Sequence, residues 1–115
     1  MGSVLLPLVS REVFDDVAAA GPVVVFKHSS ACWLSMAARR QVKRFATDRP
    51  DIPVYVLDVL EDVSLSREIE RRCGIRHESP QVIVFRRGIP VWNASHRGVT
   101  ARGLAEAVEG GVPDE

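Results

Sequence analysis

The feature that most constrains the fold is an alternation of short apolar runs with helical patterns. Three such runs are bounded by turn residues and are too short for helices: Val23–Phe26, Val54–Val59 and Gln81–Phe85. Continuous apolar runs of this length are typical of strands buried on both faces of a sheet. A helical pattern separates each run from the next, which predicts a parallel β-α-β unit at the start of the sheet.

Four helices are predicted from apolar residues that recur every three or four positions. Cap or breaker residues bound them along the chain: Ser10 and Gly21-Pro22, the Asp48–Pro53 segment, Gly74, and Thr100 with Gly110-Gly111. A fourth apolar stretch, "PVWNA", follows the third strand after the turn "RRGI" and predicts an antiparallel hairpin.

The predicted fold class is α/β, with a four-stranded mixed sheet, helices on both faces and an extra N-terminal helix. The chain has 115 residues, which is enough for one core and too few for two. We therefore expect a single domain over residues 1–115, with a core from about residue 10 to residue 110.

Composition and charge exclude several classes of function. Fifteen basic side chains balance fifteen acidic ones, so no general attraction to nucleic acid or to an anionic membrane is expected. The apolar start "VLLPLV" is short and contains Pro7, and it fits neither a signal peptide nor a membrane span. A cytoplasmic location is expected, in which cysteines stay reduced. The cysteines and histidines show no spacing typical of a metal site.

Cys32 occupies the position best suited to chemistry. It follows the first buried strand and directly precedes a predicted helix, at the edge where α/β sheets hold their ligands. Unpaired N–H groups and the helix dipole favour an anion at such a helix start, which lowers the pKa of a thiol there. The alternative is a small buried residue in a strand-to-helix turn.

Several residues near Cys32 are candidates for supporting roles. Lys27 and His28 precede it and could add positive charge. Ser35 lies about one helical turn later and either donates a hydrogen bond to the thiolate or is ordinary first-turn polarity. Trp33 either forms part of a groove wall for a partner peptide or small thiol, or packs into the core.

Two further features have mainly structural interpretations. Cys73 shares an apolar stripe with Leu65 and Ile69, which favours a buried structural thiol. A basic face on the second helix is either a solvated surface or a means of steering an anionic substrate; its residues are Arg39, Arg40, Lys43 and Arg44. His77 and His96 are interpreted as loop residues.

These residues together resemble a known family. The order of elements, Cys-x-x-Ser at a strand-to-helix junction and a proline before the third strand are similar to the thioredoxin superfamily. More specifically, "FKHSSAC", "VLDV", "RCGIRHESPQVIVF" and "WNASHRGVT" resemble the YtxJ family of monothiol bacilliredoxins of the bacillithiol system. One departure is clear, because the family pattern Cys-Pro-Ile-Ser is replaced here by Cys-Trp-Leu-Ser.

The resemblance implies a role for each site residue. Cys32 is implied to be the nucleophile, Pro80 a cis-proline facing it, and Ser79 a backbone partner for an incoming disulfide. The implied activity is thiol–disulfide exchange that removes bacillithiol, the co-substrate, from S-bacillithiolated proteins. With Ser35 in the second position, a second small thiol or an external disulfide reductase must complete the cycle. No tightly bound cofactor and no metal are implied.

Two other interpretations of Cys32 remain open. Some monothiol proteins of this fold hold an iron–sulfur cluster between two subunits, and the bulky Trp33 and Leu34 argue mildly against that role. A redox-sensing adaptor, in which modification of Cys32 changes binding without turnover, is the other.

Overall fold

The computed structural model describes residues 5–19, 21–29 and 33–109. Within these ranges the chain forms five strands, four α-helices and one 3₁₀ turn. In chain order they are β1 (Leu5–Pro7), α1 (Arg11–Ala19), β2 (Val23–His28), α2 (Trp33–Asp48), β3 (Val54–Asp58), α3 (Val63–Cys73), β4 (Gln81–Arg86), β5 (Ile89–Ser95), the 3₁₀ turn (His96–Gly98) and α4 (Ala101–Glu109). The predicted helix end at Gly110-Gly111 lies outside the described residues.

The strands form one mixed sheet in the order β1-β3-β2-β4-β5. β2 and β3 are parallel, with Val24 opposite Val54, as the predicted β-α-β unit requires. β4 runs antiparallel to β2 and forms an antiparallel hairpin with β5. The predicted α/β class with a mixed sheet is therefore confirmed.

The predicted count of four strands is wrong, because β1 adds a fifth. It pairs in parallel with β3, with Leu5 opposite Val54, and the N–H of Leu8 donates to the Val56 carbonyl at 2.9 Å. Pro7 is tolerated because β1 lies at the edge of the sheet, where a missing N–H breaks no ladder. A strand of three residues is too short to show a periodic pattern in the sequence.

Different helices bury the two faces of the sheet. Residues of α2 and α4 pack with Val24 and Phe26 on one face. Residues of α1 and α3 pack with Val25 and Ile83 on the other. Successive side chains of a strand point to opposite faces, so Lys27 lies on the α1/α3 side and His28 on the α2/α4 side.

Both ends of α3, the helix that precedes Pro80 in the chain, are capped by hydrogen bonds. At its start the Asp62 carboxylate accepts a hydrogen bond from the Leu65 N–H at 3.1 Å. At its end Gly74 has a φ of 71°, and its N–H donates to the Glu70 carbonyl at 2.9 Å. This left-handed stop is a position for which glycine is suited.

Helices that could cross a bilayer are not found among the described residues, since none combines the necessary length with an apolar composition.

Candidate active site

A short connection joins β2 to α2 at the edge where the parallel strands end. β2 ends at His28 and α2 begins at Trp33. Between them the structure describes Ser29. The candidate nucleophile Cys32 lies outside the described residues, and in the sequence it directly precedes the first residue of α2.

Ser35 anchors the connection to the first turn of α2. Its side chain is fully buried, and its Oγ accepts a hydrogen bond from the Ser29 N–H at 3.1 Å. A hydroxyl group that accepts one hydrogen bond still has its own hydrogen to donate. The predicted donation to a thiolate thus stays a prediction, while the hydrogen bond to Ser29 gives Ser35 a defined structural role.

His28 is buried on the α2/α4 side of the sheet. Its ring lies 5.4 Å from that of Phe26, and its Nδ1 has no hydrogen-bond partner among the described residues. Burial lowers the pKa of His28, and the Arg39 cation lowers it further, against an opposing effect of the Asp58 carboxylate. These effects favour the neutral imidazole and work against the added positive charge expected at this position.

Lys27 is buried on the opposite side of the same strand. Its side chain is 0% exposed, and Nζ has no hydrogen-bond partner among the described residues. Burial lowers the pKa of Lys27, while the charges of Glu70 and Cys73 act in the opposite direction. A buried lysine without a partner is rare, because desolvating an ammonium group is costly.

The segment before β4 reaches the same edge of the sheet. The Ser79–Pro80 peptide bond is cis, as the resemblance implies, and Pro80 is buried. The next residue, Gln81, lies opposite Lys27 in the antiparallel pairing of β4 with β2. The cis-proline is therefore adjacent to the end of the strand that leads to Cys32 in the sequence.

Unpaired polar atoms are concentrated at this edge. Four buried atoms lack a hydrogen-bond partner in the described part of the chain: Lys27 Nζ, His28 Nδ1, Ser79 Oγ and Gln81 Oε1. A fifth, Arg86 Nε, lies at the far end of β4. Buried polar groups in native proteins are normally paired, so this concentration makes the edge a candidate binding site.

Trp33 is on the surface and does not pack into the core. Its side chain is 71% exposed, and Met36, one turn along α2, is 44% exposed. The two residues form an apolar strip at the start of the helix. The interpretation of Trp33 as a core residue is therefore excluded. Its contact with a partner peptide or small thiol stays a prediction.

Cys73 lies away from the start of α2, at the last residue of α3. It is half-buried and packs against the α1/α3 core. Burial raises the pKa of the Cys73 thiol, although Arg72 and Lys27 oppose that effect. A raised pKa leaves less thiolate at neutral pH, which suits the structural interpretation of this residue.

The two histidines interpreted as loop residues have defined partners. The His77 N–H donates to Glu70 Oε2 at 2.9 Å, and its Nδ1 lies 3.2 Å from Ser66 Oγ. The His96 N–H donates to the Pro80 carbonyl at 2.9 Å, and Nε2 lies 3.3 Å from Glu78 Oε1. The contacts of His96 with Glu78 and Pro80 were not predicted from the sequence, because they join two separate segments of the chain. The only sequence signal for them is that each segment contains one of the family motifs quoted above.

Comparison with known proteins identifies the family. The family model described as monothiol bacilliredoxin BrxC matches residues 8–104. The chain belongs to the monothiol bacilliredoxin family. This confirms the resemblance drawn from the sequence, and the match spans all the described site residues from Lys27 to Gln81.

Solved structures show that this member of the family has the thioredoxin fold. A candidate oxidoreductase with a thioredoxin fold is 36% identical with a TM-score of 0.87, over 92% of this chain and 95% of the other. A thioredoxin variant from Halobacterium salinarum is 21% identical over 98% of each chain, with a TM-score of 0.75. Thioredoxin F from spinach chloroplast is 20% identical over 92% of this chain and 84% of its own, with a TM-score of 0.71. Family and fold together assign a thiol redox function.

Groups of metal-binding side chains are not found among the described residues, where no three His, Cys, Asp or Glu come together.

Proposed function

We propose that this bacilliredoxin is a monothiol thiol–disulfide oxidoreductase that removes bacillithiol from S-bacillithiolated proteins. Cys32 is the nucleophile, and Ser79 and Pro80 contact the substrate disulfide. Bacillithiol is the co-substrate, and no tightly bound cofactor takes part. The reaction belongs in the reducing cytoplasm, where protein thiols are kept free.

The first step is an exchange between the thiolate and the mixed disulfide. Cys32 Sγ⁻ attacks the bacillithiol sulfur, and the bond between that sulfur and the target cysteine breaks. The target leaves as a thiolate, and Cys32 carries the bacillithiol in a new disulfide. The family match over residues 8–104 and the buried polar groups at the ends of β2 and β4 support this assignment.

The presence of serine at position 35 is the main support for a monothiol mechanism. A dithiol enzyme would resolve the adduct with a thiol at this position, and a serine hydroxyl has no such redox chemistry. Ser35 Oγ is moreover fully buried and bonded to the Ser29 N–H. The adduct must therefore be resolved by a second bacillithiol thiolate, which forms bacillithiol disulfide and frees Cys32, or by an external disulfide reductase.

His28 and Lys27 support the reaction from buried positions at the end of β2. Burial lowers the pKa of both side chains, which favours their neutral forms. A neutral imidazole can accept the proton of an incoming thiol. His28 is the better placed of the two, because it ends β2 and is followed by the connection that contains Cys32.

The test is the intact mass of the protein after incubation with bacillithiol disulfide and, separately, with glutathione disulfide. We expect a single bacillithiol adduct on the wild type and on Cys73→Ser, and none on Cys32→Ser. Turnover of an S-bacillithiolated protein should follow the same pattern. Equal labelling by both disulfides, or full activity of both single variants, would refute the assignment. A visible absorption band after anaerobic purification would instead favour the iron–sulfur interpretation.

A further inference from the structure

A groove opens on the side of α2 that faces α4. It has a volume of about 300 Å³ and lies between α2 and the segment from His96 to Thr100. Leu34, the second residue after Cys32 in the sequence, contributes to one wall, and His96 contributes to the other. The groove therefore begins near the first turn of the helix that follows the proposed nucleophile.

His96 joins this groove to the cis-proline. Its N–H donates to the Pro80 carbonyl at 2.9 Å, and its Nε2 lies 3.3 Å from Glu78 Oε1. Its φ is 55°, a left-handed conformation that non-glycine residues seldom adopt and that these contacts hold in place. Residue 96 therefore links the segment that contains the cis-proline to the groove beside it.

The groove has a basic lining that is available to a ligand. Arg40 and Arg97 line it, both are exposed, and neither forms a salt bridge with a described residue. No carboxylate is among the lining residues. Two neutral polar groups of the lining are already occupied: Gln41 Oε1 accepts from the Ala101 N–H at 2.9 Å, and Thr100 Oγ1 from the Gly103 N–H at 3.0 Å.

Bacillithiol carries carboxylate groups, and we infer that this groove binds them, with Arg40 and Arg97 as the ligands of the anion. The inference rests on the proposed function and names the subsite that recognises the co-substrate. A guanidinium group offers a planar pair of donors that matches a carboxylate. The chain has zero net charge, so an anion is attracted by this local pair and not by the protein as a whole. Acidic groups of the target protein are the competing ligands that the experiment must separate.

The experiment compares two disulfides that differ in charge. The rate at which Cys32 is modified is measured by intact mass with bacillithiol disulfide and with uncharged bis(2-hydroxyethyl) disulfide. The ratio of the two rates cancels any effect of a variant on the reactivity of the thiolate itself. The proteins are the wild type, Arg40→Gln, Arg97→Gln, the double variant and Arg44→Gln, an exposed arginine of the same helix outside the groove.

We expect each groove variant to lower the ratio about two- to fivefold, as exposed ion pairs usually contribute, and the double variant to lower it about tenfold. Arg44→Gln should leave it unchanged. An unchanged ratio in the double variant, or an equal loss in Arg44→Gln, would overturn the inference. The inference would also be overturned if the variants reacted more slowly with an S-bacillithiolated protein but not with bacillithiol disulfide. The groove would then recognise the target protein and not the small thiol.

A second measurement separates this inference from the proposed function. Reduced bacillithiol is titrated into ¹⁵N-labelled Cys32→Ser protein, and the amide shifts of Gly98 and Val99 are followed. If bacillithiol shifts these amide signals, and the shifts disappear in the protein that also carries Arg40→Gln and Arg97→Gln, bacillithiol binds in the groove. This result would support the inference even if Cys32 reacts with no disulfide. Reaction at Cys32 without these shifts supports the proposed function and contradicts the groove.

Discussion

The Ser29 N–H donates a hydrogen bond to Ser35 Oγ at 3.1 Å, across the connection that contains Cys32 in the sequence. A dithiol enzyme would have its second thiol at position 35. Here the side chain at that position accepts a hydrogen bond from the backbone. Ser35 is therefore part of the structure of the site as well as the basis of the proposed monothiol mechanism.

Replacing Ser35 should destabilise the protein. In Ser35→Ala the buried Ser29 N–H loses its acceptor, and an unsatisfied buried donor costs about 1–3 kcal/mol. The free energy of unfolding, measured by urea denaturation, should fall by this amount. Ser64→Ala removes an exposed hydroxyl group from α3 and should change the free energy by less than about 0.5 kcal/mol. Equal effects of the two substitutions would show that the hydrogen bond contributes nothing measurable.

Replacing Lys27 should stabilise the protein, because the change removes a buried amine that has no hydrogen-bond partner in the described part of the chain. Lys27→Met removes the amine and keeps an unbranched side chain that is one atom shorter, and we expect the free energy of unfolding to rise by about 1–3 kcal/mol near neutral pH. Lys43→Met on the exposed face of α2 is the matched control and should be nearly neutral.

The pH dependence of the Lys27→Met effect has a defined sign. Burial lowers the pKa of Lys27 in the folded state, so the unfolded state binds more protons below the ordinary value of 10.5. The penalty carried by the wild type therefore shrinks as the pH rises toward that value. The gain from Lys27→Met should shrink in the same way, and a gain that grows with pH would contradict this account.

Acid should destabilise the protein in part through His28 and His77. Burial lowers the pKa of both side chains below 6.5, so the unfolded state binds more protons as the pH falls through that value. Each histidine can contribute at most about 1.4 kcal/mol per pH unit to the loss. The difference in the free energy of unfolding between wild type and His28→Gln isolates one of them. That difference should change between about pH 7 and about pH 5, and a constant difference would rule out a lowered pKa.

Gly74 should tolerate no side chain without cost. Nothing lies within 4 Å of a Cβ placed there, so the cost of Gly74→Ala is that of its φ of 71°, which is about 1–2 kcal/mol for an L-residue. Gly98→Ala is the control, because its φ is not positive and its new Cβ would make an ordinary contact of 3.6 Å with Ala94. Thermal denaturation should show a lower melting temperature for the first variant only.

The sequence alone predicted most of the architecture, because local patterns express it. Continuous apolar runs marked β2, β3 and β4 as buried strands, and Gly74 marked the end of α3. The family motifs singled out the proline at position 80, whose peptide bond is cis. The strand β1 was missed since three residues carry no periodicity, and its pairing with β3 depends on contacts with residues about 50 positions away.

Some features of the candidate site could likewise be predicted from the sequence, and others could not. The sequence determined which residues flank the strand-to-helix junction and that serine stands where a second thiol would be. Only the tertiary structure decided that Lys27 and His28 are buried on opposite faces of the sheet, each with a nitrogen that has no hydrogen-bond partner among the described residues. It also brought His96 and Arg97 next to residues 34–41 of α2, more than 50 positions away in the chain. Burial and the pairing of distant segments arise when the whole sheet is assembled, and no local stretch of sequence contains them.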